Sequence, residues 1–177
     1  MIPQRAIWAD KRVLITGHSG FKGYWLAVWL QELGADVFGL SLKGVPQVGL
    51  RDLAGSISPE FFADIRGHTW EDIVRDFNPN VIFHLAAQSL VLSGYKDPLG
   101  TFETNVGGTA KLLASAARLT ELEVVLVATT DKVYSPNAPQ PYTEDSPLGG
   151  QDPYSASKAC TELVVHSWPD FAGRCVT

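Results

Sequence analysis

The sequence predicts an α/β fold built on a doubly wound parallel sheet. Three observations predict it. Five short apolar runs recur along the 177 residues, stretches with helical spacing separate them, and a glycine-rich turn follows the first run. Strands buried on both faces read as near-continuous apolar runs, and helices must then cover both faces. Ligands of such sheets bind beyond the carboxyl ends of the strands, where the strand order switches.

The elements follow in order. Arg12 to Thr16 is a buried strand that stops at Gly17. Phe21 to Leu33 is a helix, with Trp25, Leu26, Trp29, Leu30 and Leu33 as its inward stripe and Gly34 at its carboxyl end. Asp36 to Leu42 is the second strand. Lys43 to Leu50 is a loop, and Leu50 to Gly55 a short, weak helix. Glu60 to Asp64 is the third strand, and Gly67 to Phe77 a helix closed by Asn78-Pro79. Val81 to Leu85 is the fourth strand. Pro98 to Leu119 is one long helix with Pro98 in its first turn, although Gly107-Gly108 inside it costs about 1 kcal/mol per glycine. Val124 to Ala128 is the fifth strand. Ser135 to Pro153 is a long surface loop, and Pro153 to His166 a final helix ended by Trp168-Pro169. The tryptophans mostly take core-like positions.

Composition narrows the function. Hydrophobic residues are 45% of the chain, which marks a globular protein rather than a disordered one. One domain of this length buries roughly 70% of its unfolded surface. Lys plus Arg is 14 against 19 for Asp plus Glu, a net charge of −5, so the dense basic stripe of a nucleic-acid binder is missing. No stretch has the about 20 apolar residues of a membrane span. Met1 to Asp10 is too short and polar for a secretory core. Cys160 and Cys175 make no disulfide framework, and a cytoplasmic setting is expected. His18, His68, His84 and His166 have no metal-ligand spacing, so no metal is expected. His84 lies within an apolar strand and reads as a hydrogen-bonded core residue.

The turn Gly17-His18-Ser19-Gly20-Phe21-Lys22-Gly23 joins the first strand to the first helix. Gly17 permits the tight turn, Gly20 lets a pyrophosphate approach the backbone, and Gly23 lets helix and strand pack closely. The helix start then offers free N–H groups to the phosphates. This predicts dinucleotide binding. The second strand lacks the terminal acid that holds an adenosine ribose diol. It ends near Ser41 and Lys43, so the strand does not choose between NAD and NADP. Asp64-Ile65 is either an adenine contact or a solvated turn.

Tyr154 and Lys158 are four residues apart on a helix and face one side. An ammonium beside a phenol favours the phenolate, and each unit of pKa depression takes about 1.4 kcal/mol. Thr129-Thr130-Asp131-Lys132 leaves the fifth strand at its carboxyl end. Thr130 suits a hydrogen bond to a sugar hydroxyl, Asp131 a general acid, and Lys132 a base or charge stabiliser. A polar surface turn is the alternative.

The glycine turn, His84-Leu85-Ala86-Ala87-Gln88, Asn105-Val106-Gly107-Gly108-Thr109 and the Tyr154–Lys158 pair resemble extended short-chain dehydrogenase/reductases acting on nucleotide sugars. Asp64-Ile65-Arg66, Thr130-Asp131-Lys132 and Gly149-Gly150-Gln151-Asp152-Pro153-Tyr154-Ser155 look like the CDP-glucose 4,6-dehydratases. Related dTDP-glucose and GDP-mannose dehydratases usually carry Asp-Glu where this chain has Asp131-Lys132. The resemblance runs from Lys11 to about Ser167.

It implies a Rossmann fold, bound NAD and a lyase. Tyr154 would remove the proton from the sugar 4-hydroxyl as hydride leaves C4 for NAD. The new ketone acidifies C5–H, Asp131 protonates the leaving 6-hydroxyl, Lys132 lies near the C5 proton, and hydride returns to C6. Thr130 would orient O4, and Lys158 would hold the nicotinamide ribose. Gly17, Gly20, Phe21, Lys22, Gly23, Asp64, Ile65, Leu85, Ala86, Ala87, Gln88 and Asn105 complete the implied cofactor site. A nucleotide-sugar epimerase or reductase, or a non-catalytic NAD-binding module, is the alternative. The family dimerises through helices that correspond here to Pro98–Leu119 and Pro153–His166, and Gly107-Gly108 and Ala114 to Ala117 suit close packing there. Its C-terminal half carries the sixth strand and most of the nucleotide-sugar pocket. The expectation is a truncated NAD-binding domain over residues 1–177, weakly active or inactive alone.

Overall fold

The computed structural model describes residues 5–43, 57, 59–168 and 175–176. A first short helix, α1 (Arg5–Trp8), precedes β1 (Arg12–Thr16) and α2 (Phe21–Glu32). Then come β2 (Asp36–Ser41), β3 (Glu60–Phe62), α3 (Glu71–Phe77), β4 (Val81–His84), α4 (Val91–Lys96) and α5 (Pro98–Phe102). A π-helical turn (Glu103–Gly107) leads into α6 (Gly108–Ala116). The chain continues through β5 (Val124–Val127), a 3-10 turn (Asp131–Val133), α7 (Pro153–Ser167) and β6 (Cys175–Val176).

All strand pairs are parallel, in the order β3-β2-β1-β4-β5-β6. The chain winds outward from β1 through β2 to β3, then crosses back to β4 on the other side of β1. The switch point thus lies between β1 and β4, where Thr16 pairs with His84. The doubly wound α/β reading holds.

Alternation along the strands builds two cores. Val13 and Ile15 point to one face and pack with Tyr24, Ala27, Leu30 and Val37. Leu14 points to the other and packs with Leu40, Trp70, Ile82, Leu112 and Val125. Both faces of a parallel sheet require such covers.

Several expectations need correction. The inward face of α2 is Gly23, Tyr24, Ala27 and Leu30, while Trp25 and Trp29 stay exposed. Apolar residues surround this helix, so spacing alone fits two stripes. A Cβ on Gly23 would stand 2.3 Å from the Gly17 carbonyl oxygen, so that close approach selects the face. Trp70 is fully buried, but Trp25 and Trp29 break the expected core placement of the tryptophans.

The predicted long helix is α5, the π turn and α6, and α4 precedes it unpredicted. A π turn contains one extra residue per turn, a defect that periodicity averages away. Gly108 is buried against the core, where its Cβ would meet Ile65 Cγ2 at 2.8 Å. A sixth strand is present as well, with Cys175 opposite Val125.

Strand ends shift by one or two residues, and α3 begins at Glu71 rather than Gly67. Gly34, at φ +92°, closes α2, and Asn78, at φ 48°, closes α3, both as expected. The predicted helix at Leu50 to Gly55 and most of the loop before it lie outside the described residues.

Candidate active site

Gly17 has φ +74°, the left-handed region that favours glycine. A Cβ there would lie 2.8 Å from Ala86 N, so the glycine also lets the β4 exit pass beside the turn. Gly20 ends the turn and precedes α2, and its Cβ direction meets only the Gly17 carbonyl oxygen, at 3.3 Å. Beneath the turn, His18 is buried and its Nε2 lies 3.0 Å from Glu60 Oε2 of β3.

A cavity opens above this turn at the switch point. Gly17 and Gly20 form its floor, Asp64, Ile65 and Arg66 one end, and Leu85, Ala86 and Ala87 the other. Arg66 clasps the Asp64 carboxylate, with Nη2 donating to Oδ2 at 2.6 Å and Nε to Oδ1 at 3.1 Å. Those hydrogen bonds hold the Asp64 carboxyl below its ordinary pKa. Asp64 is therefore a tied residue at the cavity rim. Ser41 and Leu42 at the end of β2 line the same rim.

α7 begins at Asp152, whose Oδ1 accepts from Tyr154 N and Ser155 N, both at 3.0 Å. This N-cap and Pro153 in the first turn start the helix where the sequence expects it. Tyr154 is half-buried and Lys158 buried, one turn apart on the same face. Lys158 Nζ donates to the Ala128 carbonyl at 2.8 Å. Burial lowers the Lys158 amine to about 8, and the nearby Glu162 opposes that fall. The amine remains mostly charged at neutral pH.

The 3-10 turn packs against α7 and carries the polar segment from β5. Thr130 Oγ1 caps it, accepting from Lys132 N at 3.4 Å and donating to Asp131 Oδ1 at 3.1 Å. Asp131 and Lys132 are exposed. Thr130, Asp131, Lys132, Tyr154 and Lys158 thus gather at one end of the sheet.

A buried hydrogen-bond chain joins the turn, the cavity wall and α7. Ala86 N donates to Thr16 Oγ1 at 3.2 Å, and Thr16 Oγ1 lies 2.6 Å from His84 Nδ1. His84 Nε2 lies 3.0 Å from Thr109 Oγ1, which donates its proton to Asn105 O. Thr109 must therefore accept from His84 Nε2–H, and Nδ1 accepts from Thr16. Burial, and then the Lys158 charge, push His84 down to about 3, so it is neutral. Asn105, in the π turn, donates to Gln88 O at 3.0 Å and to Ser157 Oγ of α7 at 2.8 Å.

Of the predicted cofactor residues, Gly17, Gly20, Asp64, Ile65, Leu85, Ala86 and Ala87 line the cavity, whereas Tyr154 and Lys158 are not among its lining residues. Phe21 and Lys22 stand exposed in the first turn of α2, and Gly23 is buried behind it. Asn105 is buried in the layer behind the wall. Gln88 turns toward α4, where its Oε1 accepts from Leu90 N at 2.7 Å. Among the lining residues that sequence reasoning missed are Thr16, Ser89 and Thr104. The end of the first strand signals Thr16. Ser89 and Thr104 give no local signal, because the π turn brings their segments together.

The order of these groups suits a dinucleotide: a glycine turn at a helix start for the pyrophosphate, flanked by two pocket ends. Comparisons with known proteins agree. The CDP-glucose 4,6-dehydratase of Salmonella typhimurium is 41% identical over 169 residues, which cover 91% of this chain and 46% of that protein. The UDP-glucose 4-epimerase of Mycolicibacterium smegmatis is 36% identical, over 89% of this chain and 51% of its own. The chain spans about half the length of the curated relatives it matches.

Among solved structures, TunA, an NAD-dependent NDP-hexosamine 5,6-dehydratase of tunicamycin biosynthesis, superposes with a TM-score of 0.75 at 31% identity. That match covers 89% of this chain and 50% of TunA. An epimerase of Methanothermobacter thermautotrophicus shares the fold at a TM-score of 0.85 and 22% identity, over 98% of this chain and 52% of its own. Neighbouring epimerases have been solved with NAD bound. Residues 13–177 match the NAD dependent epimerase/dehydratase family, and the chain belongs to that family, with NAD as its cofactor.

Proposed function

We propose that this chain is the NAD-binding, proton-transferring part of a nucleotide-sugar 4,6-dehydratase, with CDP-glucose as substrate. The observation that carries the reading is the Thr130-Asp131-Lys132 turn packed against the Tyr154–Lys158 face of α7. The 41% identity to a CDP-glucose 4,6-dehydratase supports the choice of sugar nucleotide.

When bound, NAD supplies the acceptor and later the donor of a hydride. The chain's own residues move the protons. Tyr154 takes the proton of the sugar 4-hydroxyl, with Lys158 one turn away on the same helix face. Thr130 holds O4 through its hydroxyl. Asp131 gives a proton to the departing O6, which leaves as water, and Lys132 lies beside C5, whose proton is lost in the elimination and restored as C6 is reduced. The net change is loss of one water from the sugar, a lyase reaction. Residues 1–177 act as one Rossmann unit.

An epimerase is the second reading, favoured by the 36% identical UDP-glucose 4-epimerase. It needs Tyr154 and Lys158 but no acid at position 131. Incubation of the wild-type chain and Asp131→Asn with NAD and CDP-glucose separates the two. A 4-keto-6-deoxy sugar that depends on Asp131 supports the dehydratase, and a C4 epimer that does not supports the epimerase.

The reading includes a homodimer. Leu92, Tyr95, Leu99 and Leu163 are exposed on α4, α5 and α7. A second copy covering these adjacent helices would remove that apolar surface from water.

A further inference from the structure

The functional face of α7 does not stop at Lys158. Glu162 lies one further turn along it, and Thr129 Oγ1 donates to Glu162 Oε1 at 2.5 Å. One residue earlier, the Ala128 carbonyl accepts from Lys158 Nζ at 2.8 Å. Consecutive residues of the β5 exit are thus clasped by consecutive turns of the helix. Thr129 and Glu162 are both half-buried, and a hydrogen bond to a carboxylate with limited access to water is stronger than a neutral, exposed one. The residues that follow Thr129 are Thr130, Asp131 and Lys132, whose turn closes through Val133 N to Thr130 O at 3.1 Å and Tyr134 N to Asp131 O at 3.3 Å.

We propose that Glu162 is a positioning residue, whose hydrogen bond with Thr129 sets the Thr130-Asp131-Lys132 turn in register with Tyr154 and Lys158. The proposal rests on the dehydratase reading. Two carriers of chemistry lie on separate elements there, one on a turn and one on a helix. A general acid works only within hydrogen-bond reach of the atom it protonates, and a misplacement of about 1 Å costs about 100-fold. Lys158 reaches the Ala128 carbonyl, and Ala128 N donates to His84 O at 3.1 Å, but neither bond involves Thr129. Thr129 is the last residue before the turn, so its side chain sets the direction in which the turn leaves. A simpler role for Glu162 would be neutralising the buried Lys158. The variants below separate the two roles, because glutamine keeps the acceptor and loses the charge.

Four variants of the NAD-loaded chain test the latch: Thr129→Val, Glu162→Ala, Glu162→Gln and the double variant Thr129→Val/Glu162→Ala. Amide exchange at Val133 and Tyr134 is the first readout. Thr129→Val and Glu162→Ala should each speed it by about tenfold, the lower end for a hydrogen bond to a charged group. The double variant should be no faster than either, and Glu162→Gln, which keeps a neutral acceptor, should fall between wild type and Glu162→Ala. Unchanged exchange in the two single variants, additive effects in the double, or a Glu162→Gln as fast as Glu162→Ala overturns the latch.

The second readout is the absorbance of reduced nicotinamide during turnover of CDP-glucose. Oxidation at C4 uses Tyr154 and Lys158, whereas elimination needs Asp131. Loss of register should therefore let reduced nicotinamide accumulate in Thr129→Val, which a general loosening of the fold does not produce. Faster exchange without accumulation, beside a wild type that turns over, overturns the positioning role. If the 177-residue chain makes no product, as its expected weak activity allows, exchange alone decides whether the latch exists.

Discussion

Lys158 donates its Nζ proton to the carbonyl of Ala128 at 2.8 Å, which ties α7 to the residue just beyond β5. The bond brings an amine from α7 and a hydroxyl–carboxylate–amine turn from the sheet into one place. It also keeps a charge in a buried position, at a cost that pH reveals.

Lys158 titrates at about 8 in the folded chain, below its ordinary 10.5. The unfolded chain therefore binds more protons between about pH 8 and 10.5, and stability rises with pH across that window. Lys158→Met should remove this rise and gain roughly 1–3 kcal/mol at pH 7, from the burial cost of the charge. Urea unfolding at pH 7, 9 and 10 checks it. A variant less stable than wild type at pH 7 would contradict the burial account.

His84 behaves alike at lower pH. Its folded value of about 3 lies below 6.5, so the unfolded chain takes up the extra proton and stability rises from about pH 3 to 6.5. His84→Gln keeps donor and acceptor atoms without titrating. The difference in unfolding free energy between the two proteins should change steadily across that window and flatten above it. A constant difference would show that His84 does not carry the effect.

Gly20 and Gly23 should part company. A methyl on Gly23 collides with the Gly17 carbonyl oxygen at 2.3 Å, whereas on Gly20 it meets that oxygen at 3.3 Å. Gly23→Ala should lose about 1–3 kcal/mol of stability through backbone overpacking. Gly20→Ala should keep most of its stability and lose NAD affinity, because Gly20 lines the cavity. Denaturation and calorimetry with NAD separate these two effects.

Leu92 and Leu99 are 76% and 70% exposed on neighbouring short helices. The double variant Leu92→Glu/Leu99→Glu should shift the chain from dimer to monomer in sedimentation, with its thermal unfolding largely unchanged. A wild-type chain that sediments as a monomer at all concentrations would contradict the dimer.

Much of this architecture is legible in the sequence, for reasons that individual residues show. Gly17, Gly20 and Gly23 announce themselves because their demands are local to one turn. Asp152-Pro153 marks the start of α7, since the cap and the first-turn proline act within four residues. The inward face of α2 is not legible, because Trp25 and Trp29 look as apolar as Tyr24 and Ala27 until the Gly17–Gly23 approach chooses between them. The π turn hides for another reason: Asn105 earns its place through bonds to Gln88 and Ser157, far away in sequence. Glu162 is hidden in the same way, since its partner Thr129 is 33 residues away.

In the proposed reaction Asp131 supplies a proton to a departing sugar hydroxyl while Tyr154 takes the proton of O4. The most direct measurement is the NMR spectrum of the product formed from CDP-glucose and NAD by concentrated wild-type chain and by Asp131→Asn. The account predicts a 4-keto-6-deoxy sugar from the wild type and a rate at least about 100-fold lower from the variant. An undiminished rate in Asp131→Asn, or a product changed only at C4, would contradict it.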